Sequence, residues 1–450
     1  MEKMKSLRHL FVTVFLSHFA GILVMPAITD VTMSALCPGQ DECSLAIFLS
    51  GFQQALIGVG TLVMMPLIGN LSDIYGRKAL LTLPMTLSII PLVILAYRRT
   101  TDFFYAYYVL KTLTAMVCEG SIQCLALAFV ADNISSGPPR TSAFGILSGV
   151  GYVAFVCGTL TSRFLSTDHT FQIAAVVSMI AAVYMRIFLQ DTPRNSDDLE
   201  QPILNTEENS AQIEGESSSE VQVFKKIPSL KDIICLLKSS VTFSQAAFVA
   251  FFHSLAEGGL QASAMSFTPM QYFFKARFQF NKDQFAELML IGGIAGTISQ
   301  LLFMPMLSPF LGEEKLLSIG LFVGAFSMLL NSIAWSVWVP YVLGVLSIFS
   351  VFTTPCLRGI VSKQVGPNEQ GMAHGCISSI SSFANIISPL IFSPLTALFL
   401  SKGAPFPFPG FSIMCIGLVM MIALIVSVMI KAVPPILSNK ISDSACTEAQ

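Results

Sequence analysis

The ten residues Gly69–Lys78, with the sequence GNLSDIYGRK, decide the fold. They join two long apolar segments, and they hold two glycines, one aspartate and two adjacent bases in a chain that is otherwise poor in charge. Glycine permits the tight backbone turns that other residues resist. A short charged turn between two segments of membrane-crossing length indicates a membrane protein whose neighbouring helices meet at the bilayer surface.

The composition of the whole chain also favours a membrane protein. Of its 450 residues 53% are apolar and only 12% are charged, and the mean hydropathy is +0.70. A water-soluble domain carries about 25% charged residues, so this chain cannot cover itself with polar surface. We therefore expect the lipid bilayer as its solvent. The net charge of −2 argues against nucleic acid as a partner.

Twelve apolar segments reach the length of about 20 residues that a spanning helix needs. Backbone groups in lipid must pair within the protein, so a span is either a helix or a strand of a closed barrel. Barrel strands are only about 10 residues long and alternate in polarity. The chain is predicted to be an all-α membrane protein with twelve transmembrane helices in two six-helix bundles. The predicted spans are 8–28, 46–68, 79–97, 103–131, 141–163, 170–190, 240–270, 284–308, 315–334, 336–357, 371–400 and 410–432.

A long polar stretch divides these spans six and six. Residues 191–238 begin with many Asp, Glu, Ser and Asn, a composition that cannot form a core, and they are predicted to be a disordered acidic linker in the cytosol. The predicted units on either side are an N-terminal bundle, 1–190, and a C-terminal bundle, 239–432, followed by a cytosolic tail, 433–450.

The two halves repeat one sequence pattern. Met65-Pro66 leads to Gly76, and Met304-Pro305 leads to Gly312, although the second copy lacks the Asp and the Arg of the first. Two parallel six-helix repeats are an arrangement found in membrane transporters.

Lys and Arg predict which end of the bundle faces the cytosol. Most bases outside the spans fall on the side of the two termini, which favours cytosolic termini, although Arg98 and Arg99 run against this pattern. The protein is expected to be an integral multi-pass protein of the plasma membrane or of a vacuole- or lysosome-type endomembrane. Cys37 and Cys43 share the first loop on the opposite side, and the sequence is compatible with either a disulfide between them or two free thiols.

Two motifs resemble a known family. Residues 69–78 match G-x-L-x-D-x-x-G-R-K at every specified position, which resembles the helix 2–3 loop of the major facilitator superfamily. The stretch 355–365, PCLRGIVSKQV, followed by the sequence EQGM at 369–372, resembles the hippocampus-abundant-transcript-like and tetracycline-resistance-type branch. The resemblance implies a transporter of a small organic solute.

The resemblance also assigns a role to the 69–78 turn. It implies that Asp73 and Arg77 belong to a charge network that latches one conformation of the transport cycle, with Asp132 as the partner of Arg77. Physically, Gly69 permits close helix packing, Gly76 permits a tight turn and Lys78 adds positive charge on the cytosolic side. The alternative is an ordinary charged loop.

Three titratable residues within the spans are candidates for proton coupling. A charge at the membrane centre costs about 2.5–3.5 kcal/mol on insertion scales, so it usually faces a cavity and has a function. Glu119 lies in the fourth span, and His253 and Glu257 lie four residues apart on one face of the seventh. The resemblance implies that these helices line a central cavity. The alternative is that all three side chains are structural.

Four amides within the spans are candidates for substrate binding: Gln53, Gln123, Gln261 and Asn385. Each can equally serve as a hydrogen-bonding contact between helices. We expect no cofactor and no metal, because the sequence has no CxxC pair and no phosphate-binding Walker loop. No catalytic triad is apparent either, so the chain is not predicted to be an enzyme.

These observations predict a secondary active transporter that moves a small organic solute by alternating access, coupled to protons and acting as a monomer. Two alternatives stay open. One is an uncoupled facilitator, and the other is a membrane receptor or scaffold that uses the same fold without transport.

Overall fold

The structure, a computed structural model, describes residues 2–36, 44–135, 137–190, 240–260, 273–274, 277–280, 282–366, 369–400 and 404–430. The predicted linker and tail, the two cysteines of the first loop and Gln261 therefore lie outside the described residues. The predicted boundaries of the two bundles around the linker stay predictions.

Six long helices come from the N-terminal half. Two of them are interrupted: α3 at Ser88, and α4 at Glu119 and Gly120. The helices are α1 (Glu2–Leu36), α2 (Ser44–Tyr75), α3 (Arg77–Leu87 and Ile89–Tyr97), α4 (Thr101–Cys118 and Ser121–Asn133), α5 (Pro138–Ser162) and α6 (Thr167–Phe188).

The C-terminal half supplies a matching series, and two of its helices contain irregular turns. The helices are α7 (Val241–Leu260), α8 (Lys282–Ile298, a π-helical turn Ser299–Phe303, and Met304–Leu311), α9 (Glu313–Ser332), α10 (Trp338–Leu346, a 3₁₀ stretch Ser347–Phe352, and Thr353–Lys363), α11 (Gln370–Leu400) and α12 (Phe411–Met429).

Eleven of these helices are long and apolar enough to cross a membrane. They correspond to every predicted span except 240–270. That segment is helical as α7, Val241–Leu260, but it carries His253 and Glu257 and its predicted continuation lies outside the described residues. The described part of the chain contains helices and no strands, so the predicted all-α membrane fold is confirmed.

The apolar cores respect the division into halves. Two buried clusters draw only on residues up to Leu189, with Phe129 and Phe144 in one and Phe104 in the other. Two more draw only on residues from Phe243 onward. Each half therefore has its own packed interior.

The halves meet mainly along α2 with α11 and α5 with α8, and also along α5 with α10 and α4 with α11. At several of these contacts a glycine lets the two helices approach closely. Along α5, Gly145 faces Met304 and Gly149 faces Leu301, and an added Cβ at either position would overlap the α8 side chain. Small residues of this kind let helices approach closely in lipid, where van der Waals contact replaces the hydrophobic drive.

Candidate functional site

The turn between α2 and α3 is shorter than the sequence suggests. Helix α2 continues through Asp73 to Tyr75, and α3 begins at Arg77, so only Gly76 lies between them. The expectation of a loop over 69–78 is thus corrected. Gly76 has φ 91° and ψ 149°, a conformation that side chains with a Cβ rarely adopt. Asp73 is consequently held on the last turn of a rigid helix.

Asp73 joins the two halves of the protein. Its carboxylate is buried, and it accepts hydrogen bonds from the backbone N–H of Gly371 at 3.0 Å and of Met372 at 2.8 Å. These groups belong to the first turn of α11, where backbone N–H groups lack partners within the helix. The positive end of the helix dipole also favours a carboxylate there.

Arg77 neutralises this buried carboxylate and also pairs with a second carboxylate, that of Asp132. It forms an ion pair with Asp73, and its Nε donates to Asp132 Oδ2 at 2.8 Å. The guanidinium also donates to the Ser72 hydroxyl. Asp132 closes α4, so this network holds α2, α3 and α4 together beside α11. We call Asp73, Arg77, Asp132 and the first turn of α11 the first charged junction.

Close backbone approach accompanies the first charged junction. A Cβ on Gly69 would overlap the carbonyl of Gly371, and a Cβ on Gly371 would overlap the carbonyl of Gly69 and the Arg77 guanidinium. Only glycine at both positions brings the two helices near enough for Asp73 to reach the α11 backbone. Lys78 follows in the first turn of α3 and is partly exposed.

A second charged junction, which the sequence did not reveal, stands at the pseudo-equivalent place in the other half. Gly312 repeats the backbone of Gly76, with φ 78° and ψ 161°, and Glu313 follows it, almost fully buried. The Glu313 carboxylate accepts a hydrogen bond from Thr141, in the first turn of α5, and lies 2.7 Å from Lys363 Nζ, at the end of α10. We call Glu313, Lys363 and Thr141 the second charged junction.

Further hydrogen bonds connect the two junctions. Arg140 of α5 donates from Nη1 to Ser362 Oγ at 2.8 Å, and Ser362 Oγ donates to Gln370 Oε1 at 2.6 Å. Arg140 Nε also donates to the carbonyl of Ile134. Both junctions thus close the same end of the molecule, which we call the latch end.

The three proton-coupling candidates occupy two places. His253 Nε2 lies 3.8 Å from Glu257 Oε1; the imidazole is buried, and the Glu257 side chain is 46% exposed. Glu119 is exposed at the interruption of α4, where Gly120 takes φ 74°. Within the described part of the chain, no hydrogen bond or ion pair joins Glu119 to either of the other two.

The substrate-binding candidates differ in their hydrogen bonds and in their exposure. Gln53 Nε2 donates to the carbonyl of Tyr108 at 3.2 Å and to Thr112 Oγ1 at 3.0 Å, which ties α2 to α4. Gln123 is partly exposed, and Asn385 is exposed with its Oδ1 beside Gly258. The fourth candidate, Gln261, is outside the described residues.

A comparison with protein families identifies the family to which this chain belongs. The model of the Major Facilitator Superfamily matches residues 10–389, which is most of the chain, so the chain belongs to that superfamily of membrane transporters.

Individual relatives agree with the branch suggested by the motifs. The chain is 24% identical to human hippocampus abundant transcript-like protein 1 over 88% of its own length and 71% of the relative. It is 23% identical to multidrug resistance protein 1 of Bacillus subtilis, covering 87% and 90%, and 24% identical to the class H tetracycline resistance protein of Pasteurella multocida, covering 82% and 84%. The resemblance to this branch is confirmed.

The fold also matches a solved structure. The human organic anion transporter MFSD10 (TETRAN) superposes with a TM-score of 0.73 at 16% identity, covering 94% of this chain and 99% of that one. At this identity the match establishes the fold.

Proposed function

We propose that the protein is a secondary active transporter that moves a small organic solute across a membrane by alternating access. The observation that carries the proposal is the contact of the buried Asp73 carboxylate with the α11 backbone at Gly371 and Met372. This contact, together with the second charged junction, holds the two halves together at the latch end. A solute site between the halves would then be open only toward the opposite side.

Opening the latch end requires both junctions to break. Hydrogen bonds to charged groups contribute roughly 1.5–3 kcal/mol each, so a few of them can decide which of two conformations is populated. A population shift between two such states needs only about 5.5 kcal/mol to run from 1:99 to 99:1. Contacts with free energies of this magnitude are made by the charged residues Asp73, Arg77, Asp132, Glu313 and Lys363. The glycines Gly69 and Gly76 permit the close approach that these contacts need.

Proton coupling is the second part of the proposal. Glu257 is half-exposed beside the buried His253, and Glu119 is exposed at a break in α4. Side chains of this kind within spans usually serve an ion or substrate pathway. Protonation of Glu257 or Glu119 would remove a charge from the space between the halves and so change the free-energy difference between the two conformations.

Orientation and assembly complete the proposal. The latch end, both termini and the acidic linker face the cytosol, and the protein acts as a monomer. A small organic solute is the cargo, as the names of the multidrug and tetracycline resistance relatives support. Gln123, Asn385 and Gln261 are proposed to contact it, whereas the hydrogen bonds of Gln53 within the N-terminal half favour a structural role.

An uncoupled facilitator and a receptor or scaffold are the competing proposals, and an enzyme has no support. Purified protein in liposomes separates them when tetracycline uptake is followed with and without an imposed pH gradient. We expect accumulation above equilibrium that collapses when a protonophore is added. Uptake that only equilibrates would identify a facilitator, and no uptake would favour the scaffold.

Replacement of Glu257 tests the coupling step in the same liposomes. Glu257→Gln should still equilibrate tetracycline but should lose accumulation driven by the pH gradient. Glu287→Gln, at an exposed site on α8, is the matched control and should accumulate solute as the unmodified protein does. Unchanged gradient-driven uptake in Glu257→Gln would remove that residue from the coupling scheme.

A further inference from the structure

Arg358 is a charged residue of the interior that neither junction uses. It lies in the last part of α10, five residues before Lys363, and within the span Trp338–Lys363. Its side chain packs between helices but stays partly exposed. An arginine inside a span is costly and usually marks a substrate or ion pathway.

The hydrogen-bond partners of Arg358 are neutral. Nη1 donates to the backbone carbonyl of His374 at 2.8 Å, and Nη2 donates to Ser378 Oγ at 3.0 Å. Among the described residues no carboxylate lies within ion-pair distance of the guanidinium. The guanidinium cannot shed its proton, so its positive charge persists without a neutralising partner.

The acids of the two charged junctions are already engaged elsewhere. Asp73 and Asp132 pair with Arg77, and Glu313 pairs with Lys363. None of these ion pairs includes Arg358, so its positive charge has no carboxylate of its own among the described residues.

The residues beside Arg358 include polar atoms that lack hydrogen-bond partners. His374 is fully buried, and neither of its ring nitrogens has a hydrogen-bond partner within the described part of the chain. The His374 ring packs edge-on against Phe144 of α5, in the other half of the protein, and Gly359 lies against Thr141 of the same helix. Arg358 and Ser378 thus lie where the two halves meet.

A polar track leads to this place along α11. Ser378 and Ser381 are partly exposed and Asn385 is exposed, and steps of three and four residues put them on one helix face. Arg358 stands at the inner end of this track, near the latch end. A solute that enters from the opposite side would meet the amide and the hydroxyls first and the guanidinium last.

We propose that Arg358, with Ser378, binds the carboxylate of an organic anion, which makes the cargo of this transporter an anionic solute. The planar guanidinium presents paired N–H donors that fit a carboxylate in bidentate fashion, and such charge-assisted bonds are stronger than neutral ones. The inference rests on the proposed transport function and adds the class of solute.

Matched pairs of acids and amides test the anion site. The probes are benzoate, salicylate and indole-3-acetate, each against its carboxamide, and the readout is the thermal unfolding midpoint of the full chain in nanodiscs. A ligand that binds only the folded state raises this midpoint, and at a fixed ligand concentration the rise grows with the logarithm of the affinity. We expect at least one carboxylate to raise the midpoint while its amide does not.

Variants then assign the site to Arg358. Arg358→Gln should weaken binding of that carboxylate by at least about tenfold, and Arg358→Lys should retain part of it because the charge remains. Arg186→Gln, which removes an exposed arginine from α6, is the control and should bind normally. Equal affinity in Arg358→Gln and the unmodified protein would overturn the assignment.

The failure of this site and of transport can be told apart. If Arg358→Gln does not fold, the acid and amide comparison in the unmodified protein still decides, because equal responses to acid and amide would exclude an anion site. Tetracycline accumulation without any preference for carboxylates would remove the anion site and leave the transporter. If tetracycline is not taken up and no carboxylate raises the unfolding midpoint, both proposals fall.

Discussion

Among single residues, two buried acids make contacts across the latch end by different means. Asp73 accepts N–H groups of the backbone, whereas Glu313 accepts a hydroxyl and an ammonium group. The Asp73 carboxylate was recognisable from its motif. Glu313 was not, because its partners Thr141 and Lys363 are distant in sequence and only the fold brings them together.

The first prediction concerns Asp73→Asn. The amide keeps the shape of the side chain but removes the charge and one acceptor, so the latch end should open more often. Cys376 is buried on α11, five residues after Gly371, and its labelling by a membrane-impermeant maleimide should become several-fold faster in a variant that retains only this cysteine. Asp102→Asn, at an exposed site on α4, should leave the rate unchanged. Equal rates in both variants would argue against a latch at Asp73.

A second prediction concerns the ion pair of Glu313. Glu313→Gln leaves Lys363 without its partner in a mostly buried place, and loss of one member of a buried pair costs roughly 3–5 kcal/mol. We expect a clearly lower Tm in nanodiscs. The double variant Glu313→Gln with Lys363→Met should recover part of the loss, since no unpaired charge remains. Additive losses in the double variant would show that the pair contributes no coupling.

At the scale of helices, glycine decides where elements break and where they touch. Gly76 and Gly312 end helices at equivalent turns of the two halves, which the repeated sequence pattern correctly indicated. The extent of α2 through Asp73 was not predictable, because polar residues in a last helical turn resemble a loop in sequence. The break at Glu119 and Gly120 was equally hidden, since it depends on the positive φ of Gly120.

The third prediction separates contact glycines from free ones. Gly371→Ala places a methyl group against the Gly69 carbonyl and the Arg77 guanidinium, so α2 and α11 should separate and the maleimide labelling of Cys376 should accelerate. Gly151→Ala is the control, because nothing lies within 4 Å of its added Cβ. We expect unchanged labelling and tetracycline uptake for Gly151→Ala. Similar behaviour of the two variants would contradict close packing at this contact.

At the scale of the whole molecule, the two halves are joined at one end by charge and glycine contacts. Hydropathy alone predicted the helices and the membrane, because spanning length leaves a strong mark in sequence. The roles of the candidate solute and proton residues were harder to predict from the sequence. The sequence made Gln53 a candidate for substrate binding, but its hydrogen bonds join α2 to α4. Arg358 became a candidate only when the structure showed that its hydrogen-bond partners are neutral.

The distance across the latch end reports directly whether Asp73 and Glu313 hold the two halves together. Spin labels at Tyr75 and Phe310, both exposed and on different halves, report this distance by pulsed electron resonance in nanodiscs. The charged junctions predict one short distance in the unmodified protein and a second, longer population in the double variant Asp73→Asn with Glu313→Gln. An identical distance distribution in both proteins would contradict the claim that these two acids hold the halves together.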